Sequence, residues 1–134
     1  MEWEQTIYGE PASKANSRRA VMIGGKSRFI KSKKALDYAK DFTRQAKTGD
    51  DMLDHDGSRV CVEITIWYAS RRPDLDESLI LDLLQGFAYL NDRCVKRKVI
   101  EWRLDKKNPR ATILVTQLPP TYGEEPSTEE SADS

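Results

Sequence analysis

Three aspartates, Asp74, Asp76 and Asp92, bracket a very apolar stretch in "RRPDLDESLILDLLQGFAYLNDRCV", residues 71–95, with arginines at its edges. Carboxylates gathered at one point repel unless they are protonated or neutralised by a cation. Hard oxygen donors of this kind suit Mg²⁺ or Mn²⁺, which keep waters and accept phosphate oxygens as further ligands. Such a centre can polarise a phosphodiester and activate water for in-line attack. Arg71, Arg72 and Arg93 stand beside the aspartates and can contact phosphates or offset developing negative charge. Asp74 and Asp76 flank Leu75, and residues two apart in extended chain point to the same side. Asp92 joins them only if the 86–91 loop folds over the intervening helix. The alternative is structural: D-x-D is common where a strand turns into a helix, and Asp76 can cap that helix. Local pattern alone favours the structural reading. Asp82 falls opposite the Leu83/Leu84 stripe and reads as a solvated helical residue.

The elements that must position these residues follow from hydrophobic periodicity. "RVCVEITIWY" is the clearest strand, with Val60, Val62, Ile64, Ile66 and Tyr68 alternating with Cys61, Glu63, Thr65 and Trp67. After the aspartate turn, Leu79 to Gln85 is expected as a short buried helix, with Leu79, Ile80, Leu83, Leu84 and Phe87 on one face and Gly86 as its stop. "EWEQTIY" alternates well enough for a first strand, and "AVMIGGKSRFI" suits a hairpin turning at Gly24-Gly25. Ser32 can cap a helix from Lys33, with Leu36, Ala39, Thr43 and Ala46 as its apolar stripe and Tyr38 and Phe42 widening it. "VKRKVIEWRL" and "RATILVTQL" are expected as a closing strand pair linked by "DKKNP". The order gives an α+β fold, a single domain over 1–118 with one mixed β-sheet and two principal helices. The Pro-, Glu- and Ser-rich 119–134 has almost nothing to bury and is expected to be a disordered acidic tail.

Basic and acidic residues number 22 each, but the charges are segregated. Five acids and no base occupy 119–134, so the remaining body carries 22 basic against 17 acidic residues. From Pro11 to Lys47 there are eleven Lys or Arg and two acids. Lys14, Arg18, Arg19, Lys26 and Arg28 are interleaved there with small residues that let phosphates approach closely, which points to a polyanion-facing half rather than a merely solvated one. No zinc-finger or helix-turn-helix pattern is present, so base-specific reading of duplex DNA is not indicated.

Cys61 and Cys94 lack metal-ligand spacing and are expected as free thiols in a reducing cytoplasm. "MEWEQ" is no signal peptide and no apolar run has spanning length, so a membrane is not expected as a partner. His55, the single histidine, gives no support to a Ser–His–Asp arrangement, and no P-loop announces a nucleotide or other small-molecule cofactor.

Three ordered segments resemble the RusA family of Holliday junction resolvases, small endonucleases of phages and prophages. "TIYGEPASKANSRR" is similar to the family's G-x-P-x-x-K-x-R opening, and it is followed by "GGKSRFIKSKKALDYAKDF". "RRPDLDESLILDLLQG" resembles D-x-D-N-x-x-K-x-x-x-D-x-L, and "FAYLNDRCV" resembles Y-x-D-D-x-x-V. The resemblance runs from about residue 4 to 118. It implies a RusA-like homodimer that binds four-way DNA junctions in a bacterial host cell and nicks paired strands with Mg²⁺ or Mn²⁺. It carries the metal-binding catalytic role onto Asp74, Asp76 and Asp92, and DNA contact onto Lys14 and Arg18. It also carries a supporting role onto Asp82. This chain departs from the pattern in having Asn91 before its last aspartate, a shorter stretch after Asp76, and an apolar residue near Ile80 where the family has a helical lysine. Arg72 or Arg93 is expected to replace that lysine. The same departures define the alternative, a catalytically inactive branched-DNA-binding protein.

Overall fold

A computed structural model describes residues 2–13, 18–47 and 58–126. β1 (Glu2–Tyr8) buries Trp3 and Ile7 and half-buries Gln5, as its alternation predicts. β2 (Arg18–Ile23) and β3 (Lys26–Lys31) pair antiparallel as a separate two-stranded sheet. Their turn places Gly24 and Gly25 at φ 58° and 78°, a left-handed conformation that glycine adopts without steric cost.

α1 (Lys33–Gln45) begins where Ser32 Oγ accepts the Ala35 N–H at 3.2 Å, a cap of about 1 kcal/mol. Its buried residues are Ala35, Tyr38 and Phe42, while Leu36 is 46% exposed and Thr43 is exposed. The buried stripe is therefore offset from the one expected through Leu36 and Thr43. The two rings set the phase: Phe42 lies 6.2 Å from Tyr38 and 5.9 Å from Phe87 between ring centroids. Burying such rings outweighs burying one leucine.

β4 (Val60–Tyr68) is the spine of a four-stranded sheet ordered β1-β6-β4-β5. α2 (Ser78–Leu84) leads to a 3₁₀ turn at Asp92–Cys94, then to β5 (Val95–Leu104) and β6 (Arg110–Gln117). β5 runs parallel to β4, while β6 runs antiparallel to both β4 and β1. The closing strands therefore do not pair with each other as expected; β4 lies between them. A parallel neighbour needs a crossover that returns the chain to the start of the strand, and α2 with its flanking loops provides it. The connection 105–109 then steps across β4, anchored where the Asp105 N–H donates to Tyr68 O at 2.8 Å.

Val60, Val62, Ile64, Ile66 and Tyr68 form one buried face of β4 and join Ile7, Ile113, Val115, Phe42, Ile80 and Leu84 in a single core. Each fully buried aliphatic side chain contributes about 1.5–3 kcal/mol. Cutting back the central Ile64 to Ala is expected to cost about 2–5 kcal/mol. The fold is thus α+β, a single domain with one mixed sheet and two helices, plus the hairpin. Cys61 and Cys94 are free and buried. No helix among the described residues is long and apolar enough to cross a membrane.

Of the stretch after β6, residues up to 126 are described. Within 118–126 the chain makes turns closed by the Tyr122 N–H to Pro119 O and the Glu124 N–H to Thr121 O, each at 2.9 Å. Residues 127–134 lie outside the described residues.

Candidate active site

β4 ends at Tyr68, and 69–77 turns back along the β5 side of the sheet. Trp102 Nε1, level with Ile66, donates to Pro73 O at 3.3 Å. Lys98 Nζ, on a residue level with Val62, reaches Glu77 at 3.0 Å. The aspartate turn is therefore carried over the sheet edge.

Asp76 is fixed at three points. Its N–H donates to Tyr68 Oη at 3.1 Å, and its Oδ1 accepts the Ser78 N–H at 2.9 Å and the Ser78 hydroxyl at 2.6 Å. This turn opens α2, whose capping position is Glu77 with no side-chain cap of its own. Asp74, two residues earlier, is exposed and makes no hydrogen bond or ion pair among the described residues.

Asp92 lies beyond the other end of α2. Its N–H donates to Gln85 Oε1 at 3.1 Å, and its side chain is exposed. Asn91, where the family has an acid, caps the 3₁₀ turn by accepting the Arg93 N–H at 2.9 Å. Seven residues of helix rise about 10 Å, and that length stands between the backbone anchors of Asp76 and Asp92. Among the described residues, no three His, Cys, Asp or Glu side chains form a group able to hold a metal ion. The structure brings Asp74 and Asp76 to the entrance of α2 and Asp92 to its exit. The donor types suit a hard divalent cation, but their placement in this single chain does not close around one.

Two buried tyrosines report the charge at each end. At the entrance, burial pushes the Tyr68 hydroxyl pKa up, the hydrogen bond from the Asp76 N–H lowers it, and the charges of Asp76, Glu10 and Glu77 raise it further. Glu10 reaches this end because its Oε1 accepts the Ala69 N–H at 3.4 Å, while Lys34 lies 3.8 Å from its other oxygen. At the exit, Tyr89 Oη donates to Leu81 O at 2.9 Å, and burial followed by the charges of Asp92 and Asp82 holds its pKa well above the ordinary range. Asp82 itself is exposed.

Sequence reasoning missed Glu10, Lys98 and Arg59. Lys98 supplies an ammonium beside the aspartate turn from β5 rather than from α2, a neighbour that only the parallel register reveals. Arg71, Arg72 and Arg93 are exposed around the two ends of α2. Arg18, Arg19, Lys26 and Arg28 lie on β2 and β3, whose side chains are outside the described residues, as is Lys14 altogether.

A family model described as endodeoxyribonuclease RusA matches residues 9–116. That span takes in the hairpin, α1, the aspartate loop, α2, Asp92, β5 and β6 up to Thr116. No curated protein matches the chain.

Proposed function

The chain belongs to the RusA endodeoxyribonuclease family, and on that premise we propose that it is a structure-selective endonuclease acting on Holliday junctions and related branched DNA in recombination and repair. The match over 9–116, which contains all three aspartates, is the observation that carries this reading.

Asp74, Asp76 and Asp92 are the proposed catalytic carboxylates. Members of this family generally depend on a divalent metal, and all-oxygen donors make Mg²⁺ or Mn²⁺ the proposed ion. What this chain's residues supply is position: Ser78 and Tyr68 hold Asp76, and Gln85 holds the Asp92 backbone. Arg71, Arg72, Arg93, Lys14, Arg18, Arg19, Lys26 and Arg28 are the proposed phosphate contacts, with selectivity arising from DNA shape rather than base edges. A homodimer is proposed, since two symmetric nicks need two sites.

The test is nicking of a synthetic four-way junction against linear duplex, with Mg²⁺ or Mn²⁺ present. Paired nicks on the junction are expected, abolished in Asp76→Asn. Tight junction binding without product would favour the inactive binding protein, and undiminished cleavage by Asp76→Asn would sink the catalytic assignment.

A further inference from the structure

At the end of the sheet where Asp92 leads into β5, the chain binds one of its own carboxylates. Arg59, one residue before β4, donates through Nη1 to Tyr122 O at 2.6 Å and through Nη2 to Glu124 Oε2. The Leu118 N–H donates to Arg59 O at 2.7 Å, which fixes the start of the following segment on the same residue. The Arg59 side chain is only 22% exposed, so this is a seated guanidinium rather than a waving surface group. Lys96 lines the same cleft of about 310 Å³, together with Arg59, Tyr122, Gly123 and Glu124, and makes no ion pair among the described residues. Two cations and one carboxylate thus line one cleft.

We infer that Arg59 and Lys96 form a phosphate-binding subsite for the DNA backbone, and that Glu124 occupies it in the free protein as an internal competitor. This rests on the proposed reading that the chain binds DNA. A guanidinium fork suits a phosphate at least as well as a carboxylate, and Lys96 supplies a second point charge that Glu124 leaves unpaired. The location fits: Val60, next to Arg59, pairs with Val95, next to Lys96, and Asp92–Cys94 immediately precedes Val95. A backbone phosphate seated here brings its strand to the exit of α2, beside Asp92 and Arg93.

The experiment measures binding of fluorescein-labelled linear duplex and four-way junction by anisotropy at about 50 mM salt, using the full chain. Glu124→Gln is compared with Glu125→Gln, which removes the same charge one position along and makes no hydrogen bond or ion pair among the described residues. Expected is a gain of about three- to tenfold in affinity for E124Q, less than about twofold for E125Q, and loss of the gain when Lys96→Gln is added, with the salt dependence shallower by about one phosphate contact. Equal effects of E124Q and E125Q would reduce the matter to bulk charge and overturn the subsite, as would a gain that survives K96Q. All these variants alter exposed side chains, and circular dichroism checks that each retains the fold. Because the readout is binding, a failure to cleave junctions would overturn the nuclease reading while leaving this one standing, and absence of any DNA binding in native and E124Q chains would overturn this one.

Discussion

The two ends of α2 both carry acids but hold them differently. At the entrance, Asp76 is gripped through its own carboxylate and its backbone, by Ser78 and Tyr68, with Glu77 tied to Lys98. At the exit, Asp92 is held through its backbone, its N–H donating to Gln85 and its carbonyl accepting the Val95 N–H, and its carboxylate is exposed. The entrance is thus a preset carboxylate on rigid scaffolding, whereas the exit carboxylate keeps its rotamer freedom. Under the proposed catalytic reading, the two ends would therefore contribute carboxylates of different mobility. A phosphate bound at Arg59 and Lys96 would act on the looser end.

Replacing the acids breaks the comparison most sharply. Asp76→Asn and Asp92→Asn are each expected to lower junction nicking by about 10³-fold or more, with Asp82→Asn changing it by less than about threefold. Single-turnover nicking at saturating protein separates these losses from binding. Should Asp92→Asn cleave at the native rate while Asp76→Asn is inactive, the exit carboxylate has no part in catalysis and the entrance works alone.

Much of this arrangement was legible beforehand, and the part that was not has a common cause. Strong alternation gave β4, and Gly24-Gly25 and Ser32 gave the hairpin turn and the α1 cap, because these are local choices. The D-x-D pattern gave the turn before α2, where the Asp76 carboxylate accepts from Ser78 and the capping position falls to Glu77. Pairing of β5 with β4 rather than β6 depends on a crossover, which no local window records. Lys98 and Glu10 reach the aspartate turn only through that topology and the packing of the first loop, so nothing in the spacing could nominate them. Arg59 was hidden for another reason: its partners lie 63 and 65 residues away, in a segment whose composition signals no structure.

The tyrosines sharpen the contrast by stability. Tyr89→Phe deletes a buried donor to Leu81 O and is expected to cost about 1–2 kcal/mol, leaving that carbonyl short of a partner. Tyr68→Phe removes the acceptor for the Asp76 N–H, and a comparable cost should be joined by slower nicking, since Asp76 loses one anchor. Urea unfolding and nicking rates measured on the same preparations distinguish an end that only supports the fold from one that also positions a carboxylate. Equal nicking by both variants would erase that distinction.

Titration gives a gentler version of the same test. Tyr38, Tyr68 and Tyr89 all have hydroxyls pushed above the ordinary value near 10, with burial the leading cause in each. A raised folded pKa means the stabilising contribution is complete below about 10 and is lost as pH climbs from there through the higher folded values. Absorbance of tyrosinate is therefore expected to show Tyr38, Tyr68 and Tyr89 ionising above the ordinary pH, with unfolding. Ionisation of Tyr38, Tyr68 and Tyr89 at the ordinary pH in the folded chain would contradict their burial.

Tyr38 supplies the smallest and most selective change. It is 4% exposed, its ring tilted against Phe42 and close to Tyr68, yet its hydroxyl finds no hydrogen-bond partner among the described residues. A buried hydroxyl without a partner loses its hydration and gains nothing in return, so removing it leaves the ring packing intact and relieves the penalty. Tyr38→Phe is accordingly expected to be neutral or to stabilise by up to about 1 kcal/mol, opposite in sign to Tyr68→Phe and Tyr89→Phe. The urea midpoint should rise or stay level with an unchanged slope. A fall of the size expected for Tyr89→Phe would mean that the Tyr38 hydroxyl is bonded in solution, and that α1 is tied to the Tyr68 end of the sheet by more than its rings.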